Sequence, residues 1–220
     1  MALFSLSVGV LVSIWIAVDV WRHPQKMAVM NVVWPTVALF GHVLVIALYL
    51  RYGRAKARRS SPRWVGVATS TLHCGAGCSL GDLAAEFLGF IAPTFAVALG
   101  WGTLFVEKTF AIWILDFAFA FGLGVLFQYF AIRPMRKLTA AQALAAALKA
   151  DTLSLIAWQA GMYTVMGVAQ FVFFPHISGH EAPVNGPEFW FAMQVAMLAG
   201  FLTSYPVNWW LIDRKIKEAM

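Results

Sequence analysis

The chain has 220 residues, of which 61% are hydrophobic and only 12% charged, with a formal net charge of +6. So few charges cannot cover that much apolar surface on a small soluble globule, and the same figures exclude intrinsic disorder. Two Cys exclude a disulfide scaffold. What remains is an all-α fold, a polytopic transmembrane helical bundle filling residues 1–220 as a single integral membrane domain. About 20 apolar residues cross a bilayer, so the chain has room for about six spans and little for a soluble catalytic domain. In such a protein the positive charge marks loops that hold topology, and no nucleic-acid partner is expected.

In chain order, the first span covers about 3–20 and is read as retained, since it lacks the basic start and small-residue cleavage site of a signal peptide. The second runs over about 32–50 and is followed by a basic loop from Arg51 to Arg63. The third covers about 64–89. Residues 90–106 are apolar but broken by Pro93, Gly100 and Gly102, a pattern that fits a spanning, a re-entrant or an interfacial piece. The fourth span covers about 109–132. Residues 138–150 read as a short Ala-rich amphipathic helix at the membrane surface. The fifth span covers about 152–174, and the sixth about 189–212, ahead of a charged tail. With six spans, Arg22, Lys26 and Lys108 fall on one side and the other thirteen of the 16 Lys and Arg on the opposite side. The positive-inside rule then places both termini in the cytoplasm, N-in/C-in. No internal repeat is present, so an inverted-repeat transporter is not supported.

Ionisable groups inside spans are costly and mark function. The third span carries the densest set, with Cys74, Cys78, Asp82 and Glu86 at intervals of four and His73 beside them. On a helix the four share a face. One imidazole and two thiols suit a soft ion such as Cu(I), and the same donors would accept zinc or iron. The CxxxC spacing is not that of a thioredoxin-like motif. Asp116 on the fourth span adds a third carboxylate. Gln159, Met162 and Met166 follow 3–4 spacing on the fifth, and Met193 and Met197 are one turn apart on the sixth. Paired thioethers on neighbouring spans would line a copper path, although Met also fills gaps in apolar cores. In this reading His73, Cys74, Cys78 and the four Met are metal ligands. Asp82, Glu86, Asp116 and Gln159 form the charge relay or pathway. A b-type haem would need paired His at facing depths, and only His42 and His73 offer that, so haem is not expected. No nucleophile, dinucleotide, phosphate-loop or metalloprotease motif is present, which leans away from an enzyme.

The run HCGAGCSLGDLAAE (73–86) resembles a family of bacterial integral membrane proteins known as domain of unknown function 4396. So do MNVVWP (30–35), FQYFAIRPM (127–135), ADTLSLIAWQAGMY (150–163) and GFLTSYPVNWWL (200–211). The likeness extends from about Met30 to Lys217. It implies a multi-pass protein of the bacterial inner membrane and carries no activity with it. Three functions are therefore expected from the residues. The first is handling of a soft metal ion through the bundle. The second is an accessory or redox-active subunit of a larger membrane complex, with other membrane proteins or further copies of itself as partners. The third is a small-solute or proton-coupled permease built on the carboxylates. The lipid bilayer is the common partner of all three.

Overall fold

The computed structural model describes residues 1–54 and 61–219, and the backbone but not the side chain of Met135. Lys56, Arg58 and Arg59 of the basic loop lie outside the described residues. The described residues are predominantly helical: α1 (Ala2–Arg22), α2 (Met30–Leu48) with a π-helical turn Tyr49–Gly53, α3 (Arg63–Ile91), α4 (Thr94–Ala98), α5 (Lys108–Arg136), α6 (Ala140–Val168) with a π-helical turn Ala169–Phe173, α7 (Phe174–Ser178) and α8 (Pro187–Asp213). Six helical segments are long and apolar enough to cross a membrane, as the composition requires.

The second segment departs from expectation. At His42 the backbone leaves the helix, with φ 40° and ψ −119°, and the chain turns back on itself. The rings of Trp34 and Tyr49 lie 5.4 Å apart, whereas a straight helix would hold these residues about 22 Å apart. A Cβ on Gly53 would come within 2.5 Å of the Trp34 indole. The segment is thus a helical hairpin whose arms, 30–41 and 43–53, enter and leave at the same end of the bundle. Hydropathy could not reveal this, because two apolar arms of about a dozen residues have the composition of one span.

The hairpin is clasped at both ends. At its tip, the Gln194 side chain of α8 donates to the Leu39 carbonyl at 2.6 Å and lies 2.9 Å from His42 Nε2, while its own oxygen accepts from Ser5 of α1 at 2.8 Å. At its open end, buried Asp19 of α1 accepts from Tyr49 at 2.7 Å and from Arg54 at 2.7 Å. Helix α1 therefore runs parallel to α8, with Ser5 level with Gln194. The amino terminus lies at the opposite end from the carboxyl terminus, and the expected N-in placement is corrected on this geometry. The correction sharpens the charge asymmetry. Arg63 pairs with Asp213, and Arg136 with Glu218 at 2.8 Å, joining the starts and ends of α3, α5 and α8 at one face. Among the described residues, every Lys and Arg except Lys108 now lies at this face or on the helix leading from it. The positive-inside rule predicts this to be the inner face, and N-out/C-in is the topology expected on that rule.

Two other regions resolve. The Ala-rich stretch 138–150 is not a separate surface helix. Thr139 and Gln142 form a reciprocal capping box, and the helix they start continues without a break to Val168. Nothing between Ala150 and Thr152 breaks a helix, and Ala143, Ala147 and Ala150 are buried in the bundle. The whole segment Ala140–Ser178 has 39 residues, about 58 Å of rise against a hydrocarbon core of about 30 Å, so its first turns project beyond the membrane at the inner face. Residues 90–106 neither cross nor re-enter. They form the end of α3, the single turn of α4 and a Gly100–Phe105 turn that packs on the start of α5 through Ala96, Ala111 and Ile112. Phe90, Ile91, Phe95 and Leu104 remain exposed there, as expected for a cap lying in the membrane interface.

The hairpin makes a direct topological prediction. Cysteines introduced at Ala2, Lys26 and Ala219 should label differently with a membrane-impermeant maleimide applied outside intact cells. Ala2→Cys should react, and the other two should be protected until the cells are permeabilised. Reaction at Lys26→Cys with protection at Ala2→Cys would mean that α2 crosses the membrane.

Candidate functional site

The interior of the bundle is assembled by the glycines of α3. A Cβ on Gly77 would lie 2.6 Å from Gly124 Cα of α5, and one on Gly81 would collide with Ala120. Small residues at both levels let the two backbones touch, the usual basis of close helix packing in membranes. Asp82 follows Gly81, and Asp116 lies one turn before Ala120, so the same contact that joins the helices brings the two carboxylates into one layer. Both are fully buried, and Glu86 is 5% exposed one turn further out. The three are within electrostatic reach of one another. Asp82 and Asp116 sit about 12–14 Å in from the outer ends of their helices.

The hydrogen bonding of this layer is incomplete. Gln159 of α6 donates to Asp82 Oδ1 at 3.0 Å and lies 3.2 Å from the Tyr163 hydroxyl, which in turn donates to the Trp113 carbonyl of α5 at 2.9 Å. Tyr163 and Trp113 stack at 4.5 Å and fix that hydroxyl. Asp82 Oδ2, both carboxylate oxygens of Asp116 and the Gln159 carbonyl oxygen are buried with no hydrogen-bond partner among the described residues. A buried carboxylate left in this state must hold a proton or face a cation or water.

Outward of this layer lies a cavity of about 200 Å³, lined by Glu86, Lys108, Trp113, Met166, Gln170 and Glu181 among others. It runs from Glu181 and Pro183 of the outer loop inward as far as Glu86, one turn short of Asp82. Lys108 donates to the Gly89 carbonyl at 2.8 Å, which anchors the only outer-face lysine of the described residues beside Glu86. Burial at the rim, and then the nearby Glu107 carboxylate, push Glu181 above the usual carboxylate range, against a weak opposing contact from Thr109 at 3.5 Å.

The sulfur residues expected to act together are distributed. Cys74 and Cys78 are free thiols buried in the core on the same face of α3 as Asp82. His73 turns towards α5, its ring meeting that of Phe127 at 6.1 Å and its polar edge facing the Phe127 backbone. Met166 borders the outer cavity and Met162 is buried in the core. Met193 and Met197 instead line a separate apolar cavity of about 190 Å³ between α1, the hairpin tip, α3 and α8, where the Ser79 hydroxyl reaches Met197 Sδ at 3.4 Å. The four thioethers therefore do not share one path. Among the described residues, no group of three or more His, Cys, Asp or Glu is close enough to hold a metal ion.

Three features were missed from the sequence. Tyr163 and Lys108 complete the layer and its mouth but belong to no motif. The third is a buried ion pair between Asp151 and Lys217. Lys217 belongs to a charged tail that reads as solvated, and the available signal was Asp151 three residues before Ser154 at the start of an apolar run.

A sequence-family model described as "Domain of unknown function (DUF4396)" matches residues 63–217. No curated protein and no solved structure matches the chain.

The Gln159 contact carries a stability prediction. Replacing Gln159 with Leu leaves Asp82 Oδ1 without its donor and should destabilise the bundle by about 1–3 kcal/mol, read as a lower thermal midpoint in detergent. Adding Asp82→Leu should recover much of the loss. Equal and additive losses for the two substitutions would show that the pair is not coupled.

Proposed function

The chain belongs to the DUF4396 family, and on that premise we propose that it is a multi-pass transport protein of the bacterial cytoplasmic membrane, passing a small cation, the proton above all, along its interior. One observation carries this reading: Asp82, Glu86 and Asp116 are buried together, oxygens of Asp82 and Asp116 are unsatisfied, and among the described residues Lys108 is the only cation near them. Charged groups at this depth are retained where they work, in relays and ion pathways. The outer cavity supplies an entry with an acidic rim. Asp82 and Asp116 accept the cation in turn, with the Gln159 amide donating to Asp82 and the Tyr163 hydroxyl held beside that amide.

The soft-metal reading is a second proposal, favoured by the two buried thiols directly inward of Asp82. Two thiolates select Cu(I) more strongly than carboxylates do, with zinc or iron as further candidates. In that case Cys74 and Cys78 bind the ion, Asp82 receives it from the cavity, and His73 or a methionine would have to rotate to join them.

Reconstituted vesicles distinguish the two. A pH-sensitive dye inside should report proton uptake under an imposed potential, and Asp82→Asn and Asp116→Asn should each lower the rate on the order of tenfold or more, the scale on which removing a relay group acts. Cys74→Ser with Cys78→Ser should leave the rate nearly unchanged. Loss of copper stoichiometry in the double Ser variant, with proton uptake absent from the wild type, would replace the proton reading by the metal one.

A further inference from the structure

Lys217 is fully buried, as is its partner Asp151, at 2.5 Å. A lysine in a short charged segment just beyond a span would ordinarily extend into water. Here the tail is turned back after α8. Lys215 adopts φ 57°, in the left-handed region, and the amides of Ile216 and Lys217 both donate to the Leu211 carbonyl, at 3.0 and 3.3 Å. This is a costly conformation for a residue with a side chain, and its consequence is to aim Lys217 into the bundle. The next residue is held as well: the Glu218 carbonyl accepts from Ser70 of α3 at 3.2 Å, and its carboxylate accepts from Arg136 of α5 at 2.8 Å.

The pocket that receives the ammonium is lined by oxygen atoms. Asp151 Oδ1 binds it, Ser154 Oγ lies 3.5 Å away, and Ser154 is in turn joined to Asn208 at 2.9 Å and Ser204 at 3.0 Å. Asp151 Oδ2 is buried and without a partner. These donors would suit a small monovalent cation as well as an ammonium group. The position is strategic. His73 is within electrostatic reach of Lys217, and Cys78 within that of Asp151. Cys74 lies about 6 Å of helical rise beyond Ser70, where the tail is tied. The polar groups inward of the carboxylate layer therefore end at this plug.

We propose that the carboxyl-terminal tail is the inner gate of the bundle, with Lys217 serving as a tethered cation that occupies the Asp151–Ser154 site and is displaced when the inner end opens. The role assigned to an open gate rests on the cation-transport reading above. The gate itself does not, because its opening can be read without any transport.

The native thiols provide that reading, since Cys74 and Cys78 are the only cysteines and lie just beyond the plug. In inside-out vesicles, a small cationic methanethiosulfonate reagent should modify the wild type slowly. Lys217→Ala should react on the order of tenfold faster, because thiol modification follows access, and Lys217→Arg should stay protected. If Lys217→Ala does not purify as a monodisperse bundle, Asp151→Asn with Lys217→Met removes both charges together and leaves no orphan carboxylate. The same acceleration is expected there. Thiols that stay as protected as in the wild type, in whichever variant folds, would overturn the gate and leave the ion pair a structural clasp. A responsive gate in a protein that moves no proton or metal would overturn the transport reading alone.

Discussion

An ionised carboxylate inside a hydrocarbon-bounded bundle is stable only with a counter-charge, a proton or water. This constraint governs the structure because α3 and α5 bury Asp82, Glu86 and Asp116 together and, among the described residues, provide only Lys108 nearby. The helices could separate the carboxylates by rotation, yet Gly77 and Gly81 against Gly124 and Ala120 prevent it by fixing the closest approach at that level. The packing that holds the core together is thus the packing that leaves the carboxyl oxygens of Asp82 and Asp116 unsatisfied. Such an arrangement costs stability and persists where the group is used.

The rest of the molecule divides around that layer. Outward, a cavity with an acidic rim reaches Glu86. Inward, the thiols and His73 lead to a buried Asp151–Lys217 pair sealed by the tail. On one side of this axis stand α1 and the hairpin, tied by Gln194 at the tip and Asp19 at the mouth. Gln194 latches them to α8 beside the apolar cavity at Met193 and Met197, Asp19 latches α1 to the hairpin, and Phe40 of the hairpin packs on Trp158 of α6.

Much of this was legible in the sequence, and the parts that were not fail for definable reasons. Six apolar segments, the α3 stripe from Cys74 to Glu86 and the basic end of the molecule follow from composition, helical period and charge. The reversal at His42 does not, since hydropathy measures how much apolar chain is present and not its direction; the weak cue was a Gly41–His42 pair in mid-segment. The orientation of the first helix failed with it. Residues 138–150 looked like a surface helix because alanine is neutral to burial, and only the partner helices decide whether an alanine stripe meets lipid or protein. Spacing placed the thiols and carboxylates on one face, but it could not say that His73 would turn to Phe127 or that the methionines of α8 would face a different cavity from Met166. Those depend on helix rotation, which one sequence does not encode locally.

Infrared difference spectroscopy of the purified protein tests the central claim most directly, because the C=O stretch of a protonated carboxyl group is resolved from that of a carboxylate. With protons or a cation driven into and out of the bundle, the account predicts a reversible band from buried carboxyl groups that is diminished in Asp116→Asn and again in Asp82→Asn. A spectrum with no such band, or one unchanged by either substitution, would contradict the assignment of these carboxylates as the working groups of the protein.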